Sequence, residues 1–306
     1  MLRCHAKINL ALAVGAPQAP KGYHPIASWF TCIDLHDELS LAPPRTEHSE
    51  WTIRWTDDAP RPTPIDWPLD KDLAVRAHRL LEQTVARALP IRATLRKRIP
   101  VGAGLGGGSS DAAAALTGLN AVFDLGLSLP RLRELSASLG SDVAYFIGGA
   151  ESGDDSRPAQ PGSPALVTGF GERVERLPRL RGRAVLIFPP FGCPTGPVYQ
   201  AFDRAALPGP TLQVREARIR ALAATSGELL SRAPLFNDLE APACLVEPRL
   251  ADLLAHLRAG LDTPVHLTGS GSTIFVLARD EGHADALSAA ARRLCPETVS
   301  LVTTLV

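Results

Sequence analysis

The sequence predicts an α+β fold divided into two domains, and three observations carry that expectation. Its 306 residues, 45% of them apolar, exceed the ~100–150 residues of a usual single domain and suffice for two cores. Runs of strand period and runs of helix period are mixed, without the strict strand–helix rhythm of a doubly wound sheet. Residues 151–164, rich in Gly, Ser, Asp and Pro, read as a linker. The expected division is therefore 1–160 and 161–306.

Taken in order, residues 5–14 (HAKINLALAV) read as a strand with Lys7 and Asn9 on one face. A Gly/Pro turn over 15–22 leads to Tyr23-His24-Pro25, then to strands over 26–35 and 38–41. Residues 42–68 are Pro-rich and polar around a Trp51-x-x-x-Trp55 strand, which predicts a hairpin and a loop. Residues 72–88 place Leu73, Val75, Ala77, Leu80, Leu81 and Val85 at helical spacing. A short strand over 91–96 precedes the stretch PVGAGLGGGSSD, residues 100–111, which runs into an Ala-rich helix ending near 123. Another helix, 129–139, stops at Gly140, and a further one starts at Ser141-Asp142. Beyond the linker, strands are expected over 184–188, 265–268 and 273–277. Helices are expected over 197–206, 212–225, 248–259 and 282–294.

Composition excludes several classes. Lys+Arg 32 balances Asp+Glu 32, and a neutral sum argues against a general polyanion binder, which needs clustered positive charge. No apolar run approaches the ~18 residues of a membrane span. The N-terminal segment lacks the basic-then-apolar pattern of an export signal, so a cytoplasmic location is expected. The five cysteines, Cys4, Cys32, Cys193, Cys244 and Cys295, are far apart and odd in number, which argues against a disulfide framework or a zinc site. The eight histidines are scattered, and no protein-held metal is expected.

The glycine-rich loop carries the strongest chemical signal. Glycine costs roughly 0.5–1 kcal/mol of conformational entropy in a regular element, so three in a row flanked by Gly102 and Gly104 need a reason. Backbone without side chains can curl round a phosphate, and a helix N-terminus beginning at Ser109-Ser110-Asp111 adds free N–H groups and its dipole. Gly102-x-Gly104-x-x-Gly107 also satisfies the dinucleotide fingerprint, with Asp124 twenty residues beyond Gly104. That reading is rejected, because Arg96-Lys97-Arg98 and Pro100 separate the loop from its strand. A Walker A loop is excluded because Gly108 is followed by Ser109 rather than Lys. The loop is read as the seat of a nucleoside triphosphate.

Other candidates keep two readings each. Lys7 is either an edge lysine that snorkels to water or a fixed ammonium facing a phosphoryl group. Gly140-Ser141-Asp142 is either a helix start, with Ser141 as cap, or the source of a carboxylate that orients an attacking hydroxyl. Tyr23 and His24 are either a loop packed on a core rim or part of a ring-binding site, with Tyr199, after Thr195, as an opposing face. Thr268-Gly269-Ser270-Gly271-Ser272 is either an ordinary hairpin turn or a second clamp.

Together these motifs bear a resemblance. Ala6-Lys7-Ile8-Asn9-Leu10, the loop from Pro100 to Ser110 and Thr268-Gly269-Ser270-Gly271-Ser272 resemble the three motifs of the GHMP small-molecule kinases. Gly22-Tyr23-His24, Gly140-Ser141-Asp142-Val143, Pro194-Thr195 and Asn237-Asp238-Leu239-Glu240 resemble the branch whose acceptor alcohol is a cytidine-diphosphate-linked methylerythritol. The resemblance implies a ribosomal-S5-domain-2-like α/β domain followed by a ferredoxin-like domain. It implies an ATP- and Mg²⁺-dependent kinase of the non-mevalonate isoprenoid route, acting on the 2-hydroxyl of that alcohol as a monomer or weak homodimer. A homoserine- or mevalonate-type acceptor is the alternative.

By position, Pro100, Gly102, Ala103, Gly104, Leu105, Gly106, Gly107, Gly108, Ser109 and Ser110 would wrap the ATP phosphates. Lys7 and Asp142 would flank the reacting hydroxyl. Asn9, Tyr23, His24, Thr195, Tyr199, Gly269, Ser270 and Gly271 would bind the substrate, with the cytosine between Tyr23 and Tyr199. The chain departs from the family pattern at Lys21, Asp72 and Ala144, which stand where an acidic residue, Asn and Pro are usual.

Overall fold

The structure, a computed structural model, describes residues 1–19, 22–148, 163–205, 210–224 and 230–306. Lys21 and all of the expected linker except Ser163 and Pro164 lie outside the described residues. The opening apolar run forms β1 (Leu2–Val14), buried from Cys4 to Val14 on both faces. It pairs antiparallel with β2 (Ile26–Ala42). The two strands expected over 26–35 and 38–41 are thus one. His5 faces His36 while Ala6 faces Ile33, so Asp34 and Leu35 form a bulge that interrupts the alternation without ending the strand.

The hairpin expected around Trp51 and Trp55 is not formed. β3 (Glu50–Trp55) instead runs parallel to β4 (Arg92–Lys97) at the sheet edge, and parallel neighbours need a long crossover. A 3₁₀ turn at Leu69–Lys71 and helix α1 (Leu73–Val85) provide it. Asp72, one of the family departures, caps α1 by accepting from the Ala74 N–H at 2.9 Å. The helix ends where Ala86 turns left-handed at φ 52°.

The Ala-rich stretch is α2 (Gly107–Val122), followed by α3 (Leu129–Ser136) with Ser128 as its cap. The helix expected at Ser141-Asp142 is the single turn α4 (Val143–Phe146), and Ala144, the third departure, lies inside it. Two short strands then return to the first sheet: β5 (Ala165–Gly169) pairs with β2, and β6 (Arg173–Arg176) with β5. β2 is long enough to carry β1 along one edge and β4 and β5 end to end along the other. The first sheet therefore reaches Arg176, and the chain passes to the second sheet after β6 rather than at residue 160.

The second sheet starts with β7 (Arg183–Phe188). Four helices follow: α5 (Thr195–Ala205), α6 (Leu212–Ala224), α7 (Glu240–Val246) and α8 (Pro248–Gly260). Then come β8 (Val265–Leu267), β9 (Ile274–Ala278), α9 (Glu281–Leu294) and β10 (Val299–Thr304). The sheet is antiparallel throughout, in the order β10-β7-β9-β8.

Leu81, Leu95, Leu116 and Leu119 bury α1 and α2 against the first sheet. Leu250, Leu254, Val276 and Leu287 bury α8 and α9 against the second. A third apolar cluster joins the sheets, with Ile8, Leu10 and Trp29 meeting Leu186, Phe188 and Phe275. β1 is also tied directly to the C-terminal half: the Leu12 N–H donates to the Phe236 carbonyl at 2.9 Å, and the Asp238 N–H donates to the Leu12 carbonyl at 3.0 Å. The two sheets share one seam, and the cleft described next opens along it.

Candidate active site

The glycine loop needs backbone that other residues resist. Gly102, Gly104 and Gly106 have φ of 66°, 75° and 69°, in the left-handed region. At Gly104 a second demand is added, because a Cβ would lie 2.4 Å from the Thr268 carbonyl oxygen. The loop is pinned to β1, whose Lys7 N–H donates to the Leu105 carbonyl at 2.9 Å. It delivers α2 into the cleft with Gly106 as its N-cap, no side-chain cap and no acidic residue in the first turn. Such a helix end, sixteen residues long, offers free N–H groups and a positive dipole end to an anion. Ser109 lines the cleft. Ser110 is buried, with its N–H given to the Gly106 carbonyl at 2.9 Å, and does not line it.

Lys7 is 3% exposed and does not snorkel. Its ammonium donates to Asn9 Oδ1 at 2.7 Å and to the Gly104 carbonyl at 3.1 Å, and lies 3.4 Å from Asp142 Oδ2. The Phe30 ring beneath it, 4.7 Å to the centroid, adds a cation–π contact. Asp142 occupies the N-cap position of α4, yet its side chain makes no capping bond; it turns to Lys7 and remains partly exposed. Asn9 is fixed by Lys7, by Thr268 Oγ1 at 3.2 Å and by Ser28 Oγ at 2.9 Å. Side chains held on several sides keep their geometry when a ligand arrives.

The ring-bearing side is built from two elements. His24 donates through Nδ1 to the Gly15 carbonyl at 2.8 Å, and its ring lies 5.1 Å from that of Tyr199 on α5. Burial, and secondarily the Asp142 carboxylate, push the Tyr199 phenol up to about 12, so it stays protonated at neutral pH. Tyr23 is 61% exposed on the cleft wall. Thr195, at the start of α5, shares a hydrogen bond of 3.0 Å with Ser270.

The turn over residues 268–272 closes the floor. Thr268 Oγ1 accepts from the Asn9 N–H at 2.9 Å, and Asn237 donates to the carbonyls of Leu267 and Gly269 at 2.9 and 2.8 Å. Asn237 thus clamps this turn. Asp238 binds the Val14 N–H at 2.8 Å and pairs with Arg215.

These pieces meet in one cleft of about 1370 Å³. Of the residues given a catalytic, phosphate-binding or substrate-binding role from the sequence, all but Ser110 and Gly271 line it. The structure adds Asp203, which follows Tyr199 by one helical turn, and Lys97, which the sequence offered only as part of a charged spacer. Lys97 is 4% exposed between Asp37 and Asp111, with Asp111 Oδ2 at 2.5 Å. Burial would lower this ammonium, but Asp111 and Asp37 outweigh it and hold it above its usual range. Asp37 also receives the N–H groups of Arg98 and Ile99 at 2.5 and 2.8 Å. The cluster therefore ties the stem of the glycine loop to α2. Asp124, at φ 47° just after α2, ends no strand, in keeping with the rejected dinucleotide reading. Among the described residues, one group of potential metal ligands is present, His5, Asp34 and His36 at the β1–β2 bulge, and none of them lines the cleft.

The chain matches the GHMP kinases N terminal domain over residues 72–155 and the GHMP kinases C terminal domain over 219–297. A 4-diphosphocytidyl-2-C-methyl-D-erythritol kinase of Thermobifida fusca (strain YX) is 36% identical, over 98% of this chain and 94% of that protein. The chain belongs to the 4-diphosphocytidyl-2-C-methyl-D-erythritol kinase family. A second member, from Caulobacter sp. (strain K31), is 35% identical over 95% and 93% of the two chains. A crystal structure of a 4-(cytidine 5'-diphospho)-2C-methyl-D-erythritol kinase superposes with a TM-score of 0.72 at 32% identity, covering 99% of this chain and 98% of that one. A homoserine kinase from Cytophaga hutchinsonii shares the fold, with a TM-score of 0.65 at 18% identity. Family membership makes the protein a small-molecule kinase with the two-part GHMP fold. Among the described residues no helix is long and apolar enough to cross a membrane.

Proposed function

We propose that this chain transfers the γ-phosphoryl group of ATP to the 2-hydroxyl of 4-diphosphocytidyl-2-C-methyl-D-erythritol, a step toward isoprenoid precursors. The observation that carries the reading is the Lys7–Asp142 pair, 3.4 Å apart, lining the same cleft as the uncapped end of α2 and the His24–Tyr199 rings. Residues 100–109 bind the triphosphate through backbone amides. Three glycines of positive φ, and the lack of room for a Cβ at Gly104, suit a backbone cradle.

Lys7 neutralises charge on the transferring group, exchanging one of its present partners for a phosphoryl oxygen. Asp142 accepts the hydrogen bond of the acceptor hydroxyl and takes its proton as the new P–O bond forms and the bond to the β-phosphate breaks, releasing ADP. Mg²⁺, when bound with the nucleotide, would supply further charge neutralisation there. Ser109, whose hydroxyl in the first turn of α2 lines the cleft, would hold it with water; a single neutral oxygen donor suits an ion that keeps much of its hydration shell.

Tyr23 and Tyr199 hold the cytosine between ring faces, a contact worth roughly 1–3 kcal/mol. Asn9, Thr195, Gly269 and Ser270 shape the substrate floor. The enzyme is read as a cytoplasmic monomer or weak homodimer. The test is ADP release with ATP, Mg²⁺ and the cytidine-bearing alcohol. One ADP per alcohol consumed is expected; turnover of homoserine or mevalonate in its place overturns the reading.

A further inference from the structure

We propose that Asp203 is the group that distinguishes cytosine from uracil in the acceptor, by accepting a hydrogen bond from the 4-amino group. The inference rests on the reading of the cleft as a cytidine-diphosphate site.

Among the described residues five acidic side chains line the cleft, and four are already committed. Asp72 caps α1, Asp111 binds Lys97, Asp142 pairs with Lys7, and Glu172 receives the Phe170 N–H at 2.6 Å. Asp203 has neither an Arg or Lys partner nor a backbone N–H among the described residues. Its Oδ1 lies 3.4 Å from His24 Nε2, and its side chain is 41% exposed against 6% for His24.

Placement adds to this. Thr195, Tyr199 and Asp203 stand at i, i+4 and i+8 on α5, one face of the helix, and all three line the cleft. A base stacked on Tyr199 therefore has its edge toward the next turn, where Asp203 and His24 meet. His24 is held on its other side by the Gly15 carbonyl and edge-on by Phe202, at 5.8 Å and 86°.

An ionised carboxylate only accepts hydrogen bonds. Cytosine presents an amino donor at C4, whereas uracil presents a carbonyl oxygen whose lone pairs would oppose those of Asp203. With the base covering Asp203, a mismatch of this kind leaves polar groups unpaired and discriminates more strongly than a missing apolar contact.

The test is a calorimetric titration of CDP and UDP into wild type and Asp203→Asn, with the ATP site filled by a non-hydrolysable ATP analogue. Turnover of the cytidine- and uridine-linked alcohols is measured in parallel. The wild type is expected to prefer cytosine by about 100-fold or more, and Asp203→Asn to narrow that ratio by ~10–100-fold, through CDP affinity and KM rather than kcat. Equal weakening of both nucleotides in a variant of unchanged thermal stability would show a merely structural residue and overturn the assignment. So would a preference that survives in Asp203→Asn. A wild type that turns over no cytidine-linked alcohol and binds no CDP sinks the functional reading, and this assignment with it. Turnover with an unchanged ratio sinks the assignment alone.

Discussion

The ammonium of Lys7 has three protons and three partners, Asn9, the Gly104 carbonyl and Asp142. A side chain so placed has little rotameric freedom to lose when it meets a phosphoryl oxygen, which is how positioning lowers a barrier. Asp142 caps nothing, so its replacement removes no capping bond. Asp142→Ala is expected to lower kcat by about 10³-fold with KM within a few-fold and a near-wild-type melting temperature. Steady-state kinetics and a thermal melt check both halves of that statement. Tyr23→Ala removes an exposed ring from the cleft wall, and should raise KM for the cytidine-bearing alcohol while leaving any turnover of a plain alcohol unaffected. At this scale the sequence named the residues and left their readings open. Whether Lys7 snorkels, or Asp142 caps, depends on neighbours more than a hundred positions away in the chain.

Elements impose demands that no single side chain reveals. Gly102 and Gly104 both have positive φ, but a Cβ at Gly102 meets nothing within 4 Å while one at Gly104 meets the Thr268 carbonyl. Gly102→Ala should therefore cost only the backbone penalty, ~1–2 kcal/mol. Gly104→Ala should cost clearly more in the absence of nucleotide and separate the loop from the 268–272 turn, raising KM for ATP; urea denaturation of the two variants side by side decides it. The β8–β9 pair carries a pH-dependent element. Burial, aided by Arg258, lowers the His266 imidazole to about 4. The unfolded chain takes up this proton near pH 6.5 whereas the folded chain refuses it until about pH 4, so this contribution to stability is present above 6.5 and is lost as pH falls between them. His266→Gln should shrink the fall in urea midpoint between pH 7 and pH 4.5. The sequence was legible for the long periodic helices and the buried strands. It showed the strand at Trp51 and Trp55 but failed for its pairing, because a parallel partner some forty residues away decides it, and failed for β5 and β6, which are too short to show a period.

At the scale of the molecule, Lys7 and Lys97, both lining the cleft, divide the labour. Lys97 is enclosed with Asp37 and Asp111, and Asp111 Oδ1 is buried with no hydrogen-bond partner among the described residues. Removing the ammonium leaves two carboxyl groups without their counter-charge. Lys97→Met should therefore destabilise the fold by ~3–5 kcal/mol, whereas Lys7→Met, whose partner Asp142 is partly exposed, should cost far less stability and nearly all activity. Urea denaturation beside a turnover assay reads this double dissociation; equal stability losses would remove the distinction. The shared core of Ile8, Trp29, Phe188 and Phe275 makes the cleft floor part of the fold, so stability and geometry there are coupled.

The sequence by itself determined the chemistry on offer. Adjacent glycines running into a helix, a lysine in an apolar strand and an aromatic–imidazole pair are local patterns, and local patterns are written in neighbouring residues. What the tertiary structure alone decided was which of those residues meet. It joined β1 to a loop about a hundred residues later and to a turn beyond residue 260, gathered Lys97 with the carboxylates of Asp37 and Asp111, and set Asp203 against His24. Those meetings follow from burying three apolar clusters at once, a condition on the whole chain that no window of sequence contains.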